Sequence, residues 1–112
     1  MERTCFLITL VFIFLLTSCN NSSKPVYATD SFKKGETIYK TLCISCHNID
    51  PRKDGILTPN IAGANYELIK SMIMTGKHPK GVEPKWPDAK MAPLPHLKEH
   101  IPDLHEYLKT FK

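Results

Sequence analysis

Hydrophobic residues are distributed along this chain in two patterns, and each predicts a different kind of segment. Residues 6–16 form one apolar run, interrupted only by Thr9, which is too short to span a membrane but has the length of a signal-peptide core. Further along, apolar residues recur every three or four positions in three separate stretches, as on one face of an α-helix. Residues 48–63 and 77–95 lack this period and contain seven of the nine prolines, so we predict irregular loops there and an all-α domain overall.

The first predicted helix begins near Asp30 or Ser31, because either side chain can cap it. Gly35 within this helix is unfavourable by about 1 kcal/mol relative to alanine. We therefore expect another helix to cross close to Gly35. The apolar face is predicted to comprise Phe32, Gly35, Tyr39, Leu42 and Cys46.

Two further helices are predicted closer to the C-terminus. One extends over residues 65–75, with Asn65 as its N-cap and Gly76 as its stop, and its apolar stripe is formed by Leu68, Ile69, Met72 and Ile73. The other extends from about residue 101 to residue 111, and Pro102 is tolerated because it falls in the first turn. Its stripe consists of Leu97, Ile101, Leu104, Leu108 and Phe111, with Tyr107 beside it.

The N-terminal segment resembles the signal peptide of a bacterial lipoprotein. The apolar run ends in Leu16-Thr17-Ser18-Cys19, which is similar to a lipobox, so we expect residues 1–18 to be removed and Cys19 to carry the lipid. Residues 19–30 are polar and without pattern, which predicts a flexible tether to a domain at residues 31–112. The protein is therefore expected on the periplasmic side of a membrane, anchored by acyl chains. The alternative is an ordinary signal peptide, cleaved nearby, with Cys19 as a free thiol.

The most specific chemical signal is Cys43-Ile44-Ser45-Cys46-His47. Two thiols separated by two residues, with a histidine directly after the second, are what covalent haem attachment requires: the sulfurs form thioethers with the two vinyl groups, and Nε2 of the histidine binds iron. A structural disulfide would leave the histidine without a role. We predict one covalent haem per chain.

Two alternative functions for the cysteine pair are a zinc half-site and a redox dithiol. A zinc site needs a second ligand pair, but no cysteine follows Cys46 and the later histidines are not paired as in a zinc finger. A thioredoxin-like motif needs a preceding strand, whereas a helical pattern precedes these cysteines. Those later histidines are His78, His96, His100 and His105.

The first loop contains features that suit the surroundings of such a haem. A haem-ligating histidine needs a partner for its other ring nitrogen, Nδ1, and a backbone carbonyl from a rigid proline segment serves well. Residues 58–63, Thr-Pro-Asn-Ile-Ala-Gly, form a segment of this kind. Ile61 within it is expected to pack on the edge of the haem ring.

The second loop, residues 77–95, carries two conspicuous side chains, Trp86 and Met91, and both are assigned to the haem site. Met91 is predicted to bind iron from the far side, since a loop of this length, at about 3.3 Å per residue, reaches across the haem. Met72 and Met74 lie on a predicted helix and are interpreted as core filler and surface, respectively. The rival ligands are His78 and His96.

Together these features resemble the class I c-type cytochrome family, in particular its small monohaem bacterial members, over about residues 31–112. The Cys-x-x-Cys-His motif matches the attachment motif of that family. Gly35 with Tyr39 is similar to the pair at which the family's first helix crosses an aromatic residue of the last helix, such as Tyr107.

The loop motifs extend the resemblance. Residues 58–63 are similar to the family's Gly-Pro-Asn-Leu-x-Gly loop, which implies that the Pro59 carbonyl accepts the hydrogen bond from the Nδ1–H group of His47. Met91 falls where the family's loop methionine ligates iron. Two positions depart from the pattern, since Thr58 replaces a glycine and Met91 is followed by Ala92 before the next proline.

The resemblance implies a cytochrome c fold, in which three to four helices pack around one covalently bound haem c, and a function in electron transfer rather than catalysis. Iron with His47 and Met91 on its two axes has no free position for a substrate. The alternatives are a ligand-binding or sensing haem domain, and a small haem subunit of an oxidoreductase complex.

The net charge of +4 indicates the kind of partner to expect. Lysines of the second loop contribute to it, and if this loop borders the haem edge they would steer an acidic redox protein towards it. A generic solvated loop is the alternative, and no nucleic-acid partner is predicted. The lysines concerned are Lys77, Lys80, Lys85 and Lys90.

Overall fold

The computed structural model describes residues 29–112 as a helical domain, without strands in that range. Three α-helices are connected by two long irregular loops, and two of the helices adjoin turns of another helical type. The elements in chain order are α1 (Asp30–Ile38), a π-helical turn (Tyr39–Cys43), α2 (Tyr66–Thr75), a 3-10 turn (Pro95–His100) and α3 (Ile101–Leu108). The all-α prediction is confirmed.

Several N-terminal predictions concern residues outside this description. The predicted signal peptide, the lipidation site Cys19 and the tether up to residue 28 lie outside the described residues and stay predictions. Within residues 29–112, no helix is long and apolar enough to cross a membrane.

Helix α1 begins at Asp30, as predicted, but its cap is Thr29 rather than Asp30 or Ser31. The Thr29 hydroxyl accepts a hydrogen bond from the Phe32 amide at 3.1 Å, and Thr29 has the extended backbone of an N-cap residue. Asp30 and Ser31 already belong to the helix, so neither can cap it. The Ser31 hydroxyl instead donates to Oδ1 of Asp103 at 2.6 Å, which ties α1 to the start of α3.

The π-helical turn changes which residues of the first helix face the core. A π turn accommodates one extra residue, so every later side chain is rotated away from the α-helical register. Leu42, predicted on the apolar face, is 45% exposed, whereas Cys43 packs against the core. Cys46 is exposed as well. The predicted stripe is therefore correct as far as Tyr39 and wrong at Leu42 and Cys46.

Helices α1 and α3 cross at Gly35, where their backbones are in close contact. A Cβ atom on Gly35 would lie 2.0 Å from the carbonyl oxygen of Asp103 and 3.0 Å from Cβ of Tyr107. One turn later, the rings of Tyr39 and Tyr107 pack with their centroids 5.4 Å apart. The prediction that Gly35 marks a close helix contact is confirmed, and a larger residue would fit only if one helix moved.

Helix α2 has the predicted bounds and both predicted caps. Oδ1 of Asn65 accepts a hydrogen bond from the Leu68 amide at 2.9 Å, and Gly76 ends the helix in the left-handed conformation with a φ of 68°. Buried residues of α2, of α3, of the π-helical turn and of the 3-10 turn meet in one part of the domain. The hydrophobic core formed there comprises Tyr39, Ile69, Ile73, Leu97, Ile101, Leu104, Tyr107 and Leu108.

Helix α3 starts at Ile101 with Pro102 in its first turn, as predicted, but it ends at Leu108 instead of Phe111. The carbonyl of Leu108 accepts hydrogen bonds from the Phe111 amide at 3.2 Å and from the Gly63 amide of the first loop at 3.1 Å. This carbonyl is therefore not available to continue the helical ladder. A contact between distant parts of the chain thus accompanies the early end of α3.

Candidate functional site

An apolar cleft lies between the first loop, α2, the second loop and α3. Its empty volume, including the open mouth, is about 900 Å³. Most of the lining consists of aliphatic, aromatic and sulfur-containing side chains. Six of the seven residues predicted for the haem site line this cleft, namely Cys43, His47, Pro59, Ile61, Trp86 and Met91.

The cysteine and histidine motif forms a tight turn that follows the π-helical turn. The amides of Cys46 and His47 both donate to the carbonyl of Cys43, at 3.2 and 2.9 Å. Both cysteines are free thiols; Cys43 is half-buried in the cleft, and Cys46 is exposed. Burial, reinforced by the nearby Cys46, raises the pKa of the Cys43 thiol to about 11. Before any covalent attachment, Cys43 is therefore a protonated thiol at neutral pH.

His47 is half-buried, and the first loop holds its ring. The Thr58 hydroxyl lies 2.8 Å from Nδ1, and it also lies 3.2 Å from the carbonyl oxygen of Cys46. Burial lowers the pKa of the imidazole, and a hydrogen bond to the Pro59 carbonyl acts in the opposite direction. The ring is accordingly neutral at neutral pH, the form that binds metals. Since the loop engages Nδ1, Nε2 is the ring nitrogen to which a metal can bind.

The first loop owes its shape to hydrogen bonds between its own ends. The Pro51 carbonyl accepts from the amides of Ile61 and Ala62, at 3.0 and 2.9 Å. Oδ1 of Asp54 accepts from the amide and the side-chain nitrogen of Asn60, at 2.7 and 3.0 Å. These bonds fix the segment that carries Pro59 and Ile61 against the attachment turn, with both residues lining the cleft.

Gly55 allows the first loop to approach the attachment turn closely. A Cβ atom on Gly55 would lie 2.3 Å from the carbonyl oxygen of Cys46 and 2.9 Å from Cα of His47. The Gly55 amide donates to the Thr58 carbonyl at 2.9 Å. The close approach therefore brings Thr58 to the histidine.

Met91 enters the cleft from the second loop, which is fastened to the C-terminal end of α2. The carbonyl oxygen of Met91 would lie 2.5 Å from a Cβ atom on Gly76. Three residues later, the amide of Leu94 donates to the Ile73 carbonyl at 2.7 Å. Trp86 also lines the cleft and keeps 38% of its surface exposed. The second loop is therefore anchored directly beside the candidate ligand.

The structure separates the rival ligands from one another. His78 lines the same cleft as Met91, whereas His96 is exposed and does not line it. Met72 lines the cleft from α2. Met74, predicted to lie at the surface, is instead partly buried against the core. The candidates for a distal ligand that reach the cleft are thus Met91, His78 and Met72.

A comparison with protein families bears on these features. The family model for cytochrome c matches residues 32–112, nearly all of the described part of the chain. The chain belongs to the cytochrome c family. No curated protein and no solved structure matches the sequence. Cytochromes c bind covalently attached haem c and transfer electrons, which agrees with the helical fold and with the chemistry of the cleft.

The residues of this cytochrome c fit the haem that the family carries. The cleft walls are largely apolar, as the burial of a macrocycle requires. His47 presents a neutral imidazole to the cleft, and Met91 presents a thioether. Two free thiols belong to the same turn as the imidazole. These groups are the donors that a covalently attached, two-axis haem iron takes from a protein.

Two contacts of the site were not predicted from the sequence. One is the Thr58 hydroxyl on His47, for which the glycine-to-threonine departure from the family pattern was the available signal. The other is Lys85, whose ammonium group donates to the backbone oxygen and Oδ1 of Asn60, at 3.0 and 2.7 Å. This pair joins the first loop to the second beside the cleft, and no local sequence pattern relates residues 25 positions apart.

Proposed function

We propose that this cytochrome c is a membrane-anchored monohaem electron carrier in which His47 and Met91 are the axial ligands of iron. The observation that carries the proposal is that one cleft receives both a loop methionine and the histidine that directly follows two free thiols. An iron with these two ligands keeps no open position, and methionine raises its reduction potential. Such a centre exchanges single electrons without binding a substrate.

Cys43 and Cys46 are proposed as the attachment residues. Each sulfur would form a C–S bond with one vinyl group, and the thiol proton would pass to the neighbouring vinyl carbon. The turn formed by the Cys43 carbonyl keeps the two thiols and His47 within a single turn of chain. Cys43→Ala and Cys46→Ala should each lower the yield of haem-loaded protein sharply.

Met91→Ala tests the assignment of the distal ligand. The ferric wild type should show a weak sulfur-to-iron charge-transfer band, and the variant should lose it while the haem stays covalently attached. The potential of the variant should also fall, because a thioether favours ferrous iron. Met72→Leu and Met74→Leu are the matched controls and should keep the band. If the band survives in Met91→Ala, the assignment is wrong; bis-histidine spectra of the wild type would favour His78.

Carbon monoxide distinguishes the electron carrier from a ligand-binding or sensing haem protein. The reduced wild type should resist carbon monoxide because both axial positions are occupied, whereas reduced Met91→Ala should bind it. Ready binding by the wild type would favour the ligand-binding function. Stable co-purification with a redox enzyme would instead show a haem subunit of a larger complex.

Anchoring is proposed to occur through lipid on Cys19, which follows an apolar run of signal-peptide length. The expressed protein should partition with membranes on the periplasmic side and need detergent for extraction. Cys19→Ser should prevent this. A membrane-extracted protein whose N-terminal mass shows no acyl groups would refute lipidation.

The electron partner is proposed to be a protein with an acidic surface. Lys85 and Lys90 of the second loop line the cleft, and Lys77 and Lys80 of the same loop are exposed. Positive charge at this position would attract a negatively charged partner over about 10 Å at moderate ionic strength. Lys80→Glu and Lys90→Glu should slow electron exchange with such a partner at low salt, and the difference from wild type should vanish at high salt.

A further inference from the structure

Thr58 is the one polar residue that is buried among residues 29–112, with 5% of its surface exposed. A threonine side chain in such a position needs partners for its hydroxyl group. The hydroxyl oxygen lies 2.8 Å from Nδ1 of His47 and 3.2 Å from the carbonyl oxygen of Cys46. Both partners belong to the attachment turn, so the only function of this hydroxyl visible in its contacts is to hold that turn.

Both contacts are hydrogen bonds in only one arrangement of the hydrogen atoms. A hydroxyl group has one hydrogen to donate, and the Cys46 carbonyl can only accept, so this hydrogen points to Cys46. The hydroxyl oxygen then offers a lone pair to Nδ1, and that contact is a hydrogen bond only if Nδ1 carries a proton. A neutral imidazole protonated at Nδ1 has its free lone pair at Nε2.

We propose that Thr58 is a positioning residue that holds His47 in the Nδ1–H tautomer, with the ring oriented so that Nε2 faces the haem site. The inference rests on the proposed role of His47 as an iron ligand. Pro59 offers its carbonyl to the same ring, so Thr58 is a second acceptor that adds to the one implied by the family resemblance. The family loop that residues 58–63 resemble has glycine at this position, so the hydroxyl is not part of that resemblance.

An acceptor at Nδ1 also changes the iron indirectly. A hydrogen bond from Nδ1–H makes the imidazole a more basic ligand at Nε2, and a more basic ligand stabilises ferric iron relative to ferrous iron. Removal of the Thr58 acceptor should therefore raise the reduction potential. It should also leave the Nδ1 proton less protected from exchange with water.

The test compares haem-loaded Thr58→Val, which keeps the shape without the hydroxyl, with Thr58→Ser, which keeps the hydroxyl. Two quantities are measured, the reduction potential and the exchange rate of the His47 Nδ1 proton in the ferrous protein by NMR. Thr58→Val should have a higher potential and a proton that exchanges roughly fivefold to tenfold faster. Thr58→Ser should return both values towards those of the wild type.

The possible negative results of this test can be distinguished from one another. Equal shifts in both variants would show a packing effect and overturn the inference. Wild-type values in Thr58→Val, with the haem attached and the charge-transfer band present, would also overturn it while leaving the proposed function intact. A wild type in which His47 does not ligate iron would overturn both.

The wild type provides a test that does not depend on the folding of a variant. In the ferrous protein, the Nδ1 proton of His47 should show a nuclear Overhauser effect to the Thr58 side chain. The absence of that effect, with the proton itself visible, would overturn the inference.

Discussion

At the scale of single residues, two contacts position α1 against α3. Gly35 lets the two backbones touch, and beside it the Ser31 hydroxyl donates to Asp103. Helix propensity could predict the glycine contact, because glycine inside a helix is unfavourable unless a close contact requires it. It could not predict the Ser31–Asp103 bond, because the two residues are 72 positions apart in the sequence.

Replacing Gly35 with alanine should destabilise the protein by about 1–3 kcal/mol, because the new Cβ atom would meet the Asp103 carbonyl and force the helices apart. Alanine is the better helix former, so local propensity alone would predict the opposite sign. Denaturant unfolding of the haem-loaded protein measures the difference. Lys33→Ala, at an exposed position of the same helix, is the control and should change stability little. A stabilised Gly35→Ala would contradict the close contact.

Asp103 should contribute stability that depends on pH. Burial opposes its ionisation, but hydrogen bonds from Ser31 and His100 outweigh this and hold the pKa of the carboxyl below its usual value of 3.8. A carboxyl with a lowered pKa in the folded state stabilises that state above its unfolded pKa, and the contribution is lost as the pH falls through the folded pKa. Asp103→Asn should therefore lower the melting temperature at pH 7.

The difference between Asp103→Asn and the wild type should begin to narrow as the pH falls below 3.8 and should be lost as the pH falls through the lower folded pKa, where the wild-type carboxyl loses its charge. Thermal unfolding at several pH values measures this. The exposed Asp88→Asn is the control and should follow the wild type. A gap that stays constant down to acidic pH would mean that the charge of Asp103 contributes nothing.

At the scale of elements, the fold depends on how two irregular loops are fastened to three helices. The bounds of α2 could be predicted because Asn65 and Gly76 signal its ends locally. The π-helical turn could not, because nothing in the local pattern distinguishes it from a continued α-helix. The end of α3 likewise coincides with a distant hydrogen bond, from the Gly63 amide to the Leu108 carbonyl. Local signals therefore predict the bounds of α2, but not the change of register after Ile38 or the end of α3.

Gly76 should control both the end of α2 and the position of Met91. Its φ of 68° disfavours any other residue, and a Cβ atom there would lie 2.5 Å from the Met91 carbonyl oxygen. Gly76→Ala should therefore lower stability and also weaken the charge-transfer band of the ferric protein. Absorption spectra and denaturant unfolding provide the two readings.

Gly81→Ala is the matched control for this prediction. Gly81 has a similar φ of 83°, but a Cβ atom there would meet nothing within 4 Å. It should lose stability from backbone strain without changing the band. If both variants leave the band unchanged, the contact of Gly76 with the second loop does not position Met91.

At the scale of the whole molecule, the domain is small, and most residues of its hydrophobic core also line the cleft. A domain of this size buries a limited fraction of its surface, so a covalently held macrocycle in the cleft would be a large part of its apolar interior. The order of motifs along the chain was sufficient to predict this arrangement. The volume of the cleft and the residues that surround it depend on how the loops fold, so they could not be predicted from the sequence.

A haem-free protein should therefore be much less stable than the loaded one. The double variant Cys43→Ala/Cys46→Ala, which cannot form thioethers, should show reduced helical circular dichroism and a lower melting temperature than the wild type. The single exposed substitution Lys98→Ala is the control and should match the wild type. A double variant as stable as the loaded protein would show that the helices pack without the cofactor.

The intact mass of the denatured protein tests the central claim most directly. Wild-type protein, expressed with export and haem attachment, should keep exactly one haem mass on the chain after unfolding and extraction with acidified solvent, because thioethers survive both. Protein with one of the two cysteines replaced can hold haem through a single thioether only. The double variant should have the mass of the bare chain. A wild-type chain that loses its haem on denaturation would contradict covalent attachment through Cys43 and Cys46.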